Sequence, residues 1–225
     1  DGLFPLNYTP GYSNAGIPAI HFSNNLADRV LRGVGWSREK IQKTMNRSRE
    51  PVNFIINDQI LNTNVDLELV TTRCANVIGE IKSGNRKFRD EYVVLGAHFD
   101  HVGKGGVGSG SRKPDLLQVH PGADDNASGT SGLLEIAQKL AANKSRLKRS
   151  VLLIGFDAEE KGLLGSKYFM SNPTVDLNKI ITMINMDMIG RMKDSSVTVG
   201  GVGTSPLFEP LIDSLENDRS FNLSI

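Results

Sequence analysis

The chain has 225 residues, a formal net charge of +1, 39% apolar residues and 23% charged ones, enough for one large domain or one domain plus a partial second. Both charge signs are interspersed, which removes the electrostatic case for nucleic acid, and no apolar run approaches the roughly 20 residues needed to cross a bilayer. The single cysteine, Cys74, excludes an intrachain disulfide and any cysteine-based zinc site.

Both ends read as cuts. The chain opens at Asp1 with no initiator Met and no signal stretch, and it stops in an alternating pattern over residues 221–225 that looks like a strand beginning. A longer parent protein is expected. Residues 14–22 read as a turn followed by a short buried strand, closed by His21, which is taken as a structural histidine. Residues 25–31 and 37–45 offer two short helical patterns separated by Gly33 and Gly35. Residues 51–69 alternate well enough for a pair of strands, and residues 71–82 continue as another.

Three continuous apolar runs follow, at residues 92–97, 150–156 and 180–186. Each has the signature of a strand buried on both faces. A helix is expected between the first two, over about residues 130–143, with Leu133, Leu134, Ile136, Ala137, Leu140 and Ala141 at helical spacing. A shorter helix over residues 162–170 precedes the third run. Another spans residues 206–216, with Ser205 as N-cap and Pro206 at the first helical position. Buried strands alternating with helices predict an α/β domain with a mixed, mostly parallel central sheet flanked by helices. Ligands bind such sheets beyond the carboxyl ends of the strands.

Those ends are where the chemistry collects. The first run leads into His98-Phe99-Asp100-His101, the second into Asp157-Ala158-Glu159-Glu160, and the third ends Asn185-Met186-Asp187. The loop Pro121-Gly122-Ala123-Asp124-Asp125-Asn126-Ala127-Ser128-Gly129 adds adjacent carboxylates. Taken alone, that loop is an ordinary solvated turn with an N-cap, and Glu159-Glu160 an acidic pair before a helix. Together, His98, Asp125, Glu159, Glu160 and Asp187 converge on one sheet edge. Gathering carboxylates there is unfavourable unless cations neutralise them. A divalent metal is the economical answer, and imidazole with carboxylates suits zinc.

These motifs, with Glu159-Glu160-Lys161-Gly162-Leu163-Leu164-Gly165-Ser166 and Asn185-Met186-Asp187-Met188-Ile189-Gly190, resemble the di-zinc aminopeptidase family over roughly residues 75–225. That family includes bacterial leucyl aminopeptidases and the related glutamate carboxypeptidases. The resemblance implies that Asp125 bridges two zinc ions about 3.5–4 Å apart. It implies that His98 and Asp187 complete one ion's ligands and that Glu160 binds the other. Glu159 would be the general base that takes a proton from the bridging water. Asp100 would accept the other N–H of the His98 imidazole, and Asp124 would hold the loop. His101 and His120 are not assigned as ligands, although His120 could line the pocket. The stretch Lys104–Lys113 reads as a mobile loop at the pocket rim.

The family's second metal takes a further His from a later loop, and this chain has no His after His120. Truncation is the preferred explanation, with two zincs in the complete protein and one or none in these 225 residues. Residues 1–50 are similar to the tail of a protease-associated domain, leaving residues 51–225 as a catalytic domain missing its C-terminal part. The expected activity is a metallo-aminopeptidase acting on peptide substrates, secreted or periplasmic. The alternatives are a non-catalytic receptor or scaffold, a carboxypeptidase or dipeptidase using Arg191 to hold a substrate carboxylate, and a glutaminyl-cyclase-like enzyme.

Overall fold

An apolar run becomes a buried strand only where neighbours cover both of its faces, and two of the three runs meet that condition. The computed structural model describes residues 20–57, 60, 62, 71–106, 108–215 and 222–224. The chain divides into two units, Asp1–Thr72 and Arg73–Ile225.

The second unit is built on a four-stranded sheet of β1 (Val77–Ile81), β2 (Tyr92–His98), β3 (Ser150–Phe156) and β4 (Ile180–Asn185), in the order β1-β3-β2-β4. β1 runs antiparallel to β3, whereas β3 and β4 both run parallel to β2. The sheet is therefore mixed and mostly parallel, as the alternation of buried strands and helices predicts. Helix α3 (Gly129–Ala142) connects β2 to β3, and α4 (Leu164–Ser171) connects β3 back across β2 to β4.

Strand parity divides the core into two layers. Leu95 and Ala97 of β2 and Val151 of β3 pack with Leu133 of α3. Val94, Leu152, Ile154 and Phe156 point the other way and pack with Phe169 of α4. The register Val94↔Leu152 and Leu95↔Leu153 keeps each pair on one face. Burying a side chain such as Ile154 or Val94 contributes about 1.5–3 kcal/mol. Because the two crossovers run in opposite directions over opposite faces, the carboxyl ends of β2, β3 and β4 open into one crevice.

The third run is not buried as expected. Among the described residues β4 pairs only with β2, and Ile181, Met183 and Ile184 are 52%, 45% and 55% exposed. Beyond it, α5 (Phe208–Leu215) begins two residues after Pro206, because the Ser205 hydroxyl accepts from Leu207 N–H at 3.3 Å in a preceding turn. Short strands β5 (Ser196–Thr198) and β6 (Asn222–Ser224) pair in parallel.

In the first unit, α1 (Asn24–Arg32) is capped by Ser23 and α2 (Arg38–Ser48) by Ser37, each hydroxyl accepting a backbone N–H of the first turn. The strand expected over residues 14–22 lies outside the described residues up to residue 19. Residues 20–23 form no strand, and His21 is exposed. Residues 51–57 likewise form no strand, and most of the rest of that expected pair lies outside the described residues. Alternation supplies the two faces of a strand but not the partner whose groups complete the ladder.

Candidate metal centre

β2 delivers His98 to the crevice with its side chain 3% exposed. Its Nδ1 lies 3.1 Å from the backbone carbonyl of Asp100. A carbonyl can only accept, so Nδ1 carries a proton and Nε2 is the nitrogen turned toward the crevice, where its lone pair is available to a cation once that nitrogen is unprotonated. Nε2 then faces other acceptors: Asp125 Oδ1 at 3.3 Å, Asp187 Oδ1 at 3.5 Å and Glu159 Oε2 at 3.9 Å. Burial pulls the imidazole pKa down, but the charges of Glu159 and Asp187, with Asp100, outweigh it and leave it raised.

The Asp100 carboxylate is placed differently from the sequence expectation. It lies 3.6 Å from His98 Nδ1 and is not the hydrogen-bonding acceptor. Instead it accepts the backbone N–H groups of Glu159 at 2.9 Å and Glu160 at 3.2 Å. Asp100 thus orients the imidazole through its main chain and fixes the acidic pair through its side chain. Just upstream, Asp157 accepts from Ala158 N–H and Ala75 N–H, and Ala158 takes a left-handed φ of 53°. A non-glycine in that region costs about 1–3 kcal/mol and persists where surrounding contacts over-determine it.

Asp125 has the other decisive position. Its Oδ1 faces His98, while its Oδ2 lies 4.0 Å from His101 Nδ1. His101 Nδ1 in turn lies 2.6 Å from Glu160 Oε1. That separation is short enough for a hydrogen bond, yet the geometry is not that of one, and both atoms are buried without a hydrogen-bond partner. Two donor groups therefore meet at one carboxylate: His98, Asp125 and Asp187, and His101, Asp125 and Glu160. Within each, the ligand atoms lie within 4.8 Å of one another. Inward-facing lone pairs of this kind fit a bound cation, and the imidazole–carboxylate donor set fits a transition metal.

The loop carrying Asp125 is held from behind. Asn126, 1% exposed, donates to the Met186 carbonyl at 3.0 Å and accepts from Gly129 N–H and Met188 N–H. The Asp125–Asn126 peptide bond is cis. Gly129 is required for steric reasons, since a Cβ there would collide with the Met186 carbonyl and the Asn126 amide. Asp124 turns away from both donor groups. Its Oδ1 accepts from Gly190 N–H at 3.0 Å and its Oδ2 lies 3.4 Å from Arg191 Nε. Loop and strand end are thereby tied together, and Arg191 has a carboxylate partner within the protein.

Glu159 belongs to neither donor group but stands at their edge. Burial is the largest influence on its carboxyl and raises its pKa; His98 opposes this, while Glu160, Asp187 and Asp100 add to it. Next to it, a pocket of about 160 Å³ is lined by His98, Phe156, Glu159, Leu163, Met183 and Asp187, among others. The segment expected from sequence as a rim loop carries a Gly105↔Leu117 bridge, and Lys161 Nζ donates to the Gly108 carbonyl at 2.8 Å.

The structure thus brings together all six residues selected from sequence. It adds His101, whose sequence signal is the pair of imidazoles flanking Asp100, and Asn126, which has none beyond a turn preference. Residues 76–223 match peptidase family M28. The chain belongs to that family. Its similar curated proteins include the probable lipoprotein aminopeptidase of Mycobacterium tuberculosis, 27% identical over 195 residues, with 85% of this chain and 35% of that protein covered. An aminopeptidase of Pseudomonas aeruginosa is 30% identical over 200 residues, with coverages of 88% and 29%. This M28 chain therefore spans about a third of the length of those relatives. A glutaminyl cyclase of Tannerella forsythia, 22% identical with a TM-score of 0.50, matches 66% of this chain and 55% of its own, which speaks to the fold alone. Among the described residues, no helix is long and apolar enough to cross a membrane.

Proposed function

We propose that this chain carries the metal centre and general base of a zinc-dependent aminopeptidase, which releases N-terminal residues from peptides. The observation that carries the reading is the division of Asp125, with one oxygen toward His98 and the other toward His101 and Glu160. His98, Asp125 and Asp187 would hold one zinc; Asp125 and Glu160 would hold part of a second. When bound, such ions supply Lewis acidity toward the scissile carbonyl and make a water easier to deprotonate.

The chain's own groups do the rest. Glu159 takes the proton of the attacking water and delivers it to the departing amine as the carbon–nitrogen bond breaks. Its raised pKa suits a group that must both accept and release a proton. Asp100 holds the backbone of Glu159 and Glu160 and the ring of His98, so base and ligands keep one geometry. The apolar wall of Phe156, Leu163 and Met183 offers space for a substrate side chain. The aminopeptidase names of the relatives support exopeptidase action. The lipoprotein name of one supports export from the cytoplasm. Residues 1–50 are retained in this reading as the tail of a protease-associated domain.

The test is hydrolysis of aminoacyl p-nitroanilides by the full chain and by Glu159→Gln. The variant should retain its zinc while kcat falls by about 10²–10⁴-fold. Undiminished turnover in the variant would remove Glu159 from the mechanism. A metal-replete protein that hydrolyses none of these substrates would favour a scaffold on the same fold.

A further inference from the structure

We infer that His101 is a direct ligand, through Nδ1, of the second metal position, so that the short segment from His98 to His101 supplies an imidazole to each ion. The inference rests on the metal-centre reading above and extends it by one residue. Its basis is the arrangement of three atoms. His101 Nδ1 and Glu160 Oε1 are 2.6 Å apart, both are buried, and neither has a hydrogen-bond partner. Asp125 Oδ2 closes the group at 4.0 Å from the same nitrogen.

A simple ion pair is the competing explanation. It would place an imidazole N–H on the line to the carboxylate oxygen, and the observed geometry does not. Two lone pairs that do not point at each other, with Asp125 Oδ2 beside them, would instead suit joint donation to one cation. The chain's path supports this. Asp100 lies between the two imidazoles in sequence and binds the amides of Glu159 and Glu160. The same residue therefore fixes where His101 leaves the strand and where Glu160 arrives. Gly122, with φ +61°, lets the Asp125 loop pass against the His101 ring, since a Cβ there would meet its Cγ and Cδ2 at 2.9 Å.

Zinc titration into metal-free full chain, followed by calorimetry, tests the assignment in wild type, His101→Gln and His98→Gln. Cobalt absorption of the same proteins reads the coordination of each ion, independently of turnover. With His101 as a ligand the wild type should take two equivalents, where the sequence alone leads to an expectation of one or none in these 225 residues. His101→Gln should keep one at wild-type affinity and bind the second at least about tenfold more weakly, whereas His98→Gln should weaken the other. If His101 only pairs with Glu160, its removal leaves the second equivalent unchanged or tighter, which overturns the assignment and leaves the metal centre standing. A wild type that takes one equivalent also overturns it. A wild type that takes none overturns the metal-centre reading itself. Circular dichroism identifies a misfolded variant, and His101→Asn then replaces His101→Gln.

Discussion

At the scale of single residues, the centre is a set of groups whose ionised carboxylates are costly to gather without a cation. Glu159 and His98 both have folded-state pKa values above their ordinary ones. For Glu159 burial comes first; for His98 the neighbouring carboxylates overcome burial. The sign is the same for both. A group whose pKa is raised by folding contributes stability that is fully present below its unfolded pKa and is lost as pH rises through the folded value. Metal-free protein should therefore lose thermal stability in two windows, one above the ordinary carboxylate range and one above the ordinary imidazole range. Glu159→Gln should remove the first window and narrow the second, because the Glu159 charge is one of those that raise the His98 pKa, as read by Tm against pH in chelator. Saturating zinc should flatten both, because a bound cation favours the ionised carboxylate and the neutral imidazole. A pH-independent Tm in chelator would contradict this electrostatic account.

Among the elements, the Asp125 loop is as much a packing problem as a chemical one. Its backbone passes so close to the end of β4 that Gly129 has no room for a side chain. Gly129→Ala should lower the urea-unfolding free energy by about 1–3 kcal/mol. Gly79→Ala, where nothing lies within 4 Å of the new methyl, should change it little. Equal effects at the two sites would refute the close-approach argument. The same contrast explains what the sequence could convey. β2 and β3 were legible because both faces of each are covered, so nearly every residue is apolar. β4 has the same composition but stands exposed at the edge of the described sheet, and composition alone does not report how many neighbours a strand has. Asn126 was illegible because Asn in a turn is the commonplace case. Its three hydrogen bonds, to Met186, Gly129 and Met188, exist only once the loop is docked.

For the whole molecule, the order β1-β3-β2-β4 gathers residues from four distant segments at one crevice. The strand ends and the Asp-Asp loop were readable in advance because chemistry-bearing residues followed apolar runs at the place where α/β sheets bind ligands. The role of His101 was not, since the turn after His98 decides its direction and spacing along the chain does not. The central claim is that Asp125 joins two donor groups into one metal centre. The most direct measurement is zinc retained per chain after gel filtration, in wild type and Asp125→Ala. Two equivalents falling to near zero is the predicted result. A variant that still carries both ions would contradict the claim, because the two groups would then be independent sites.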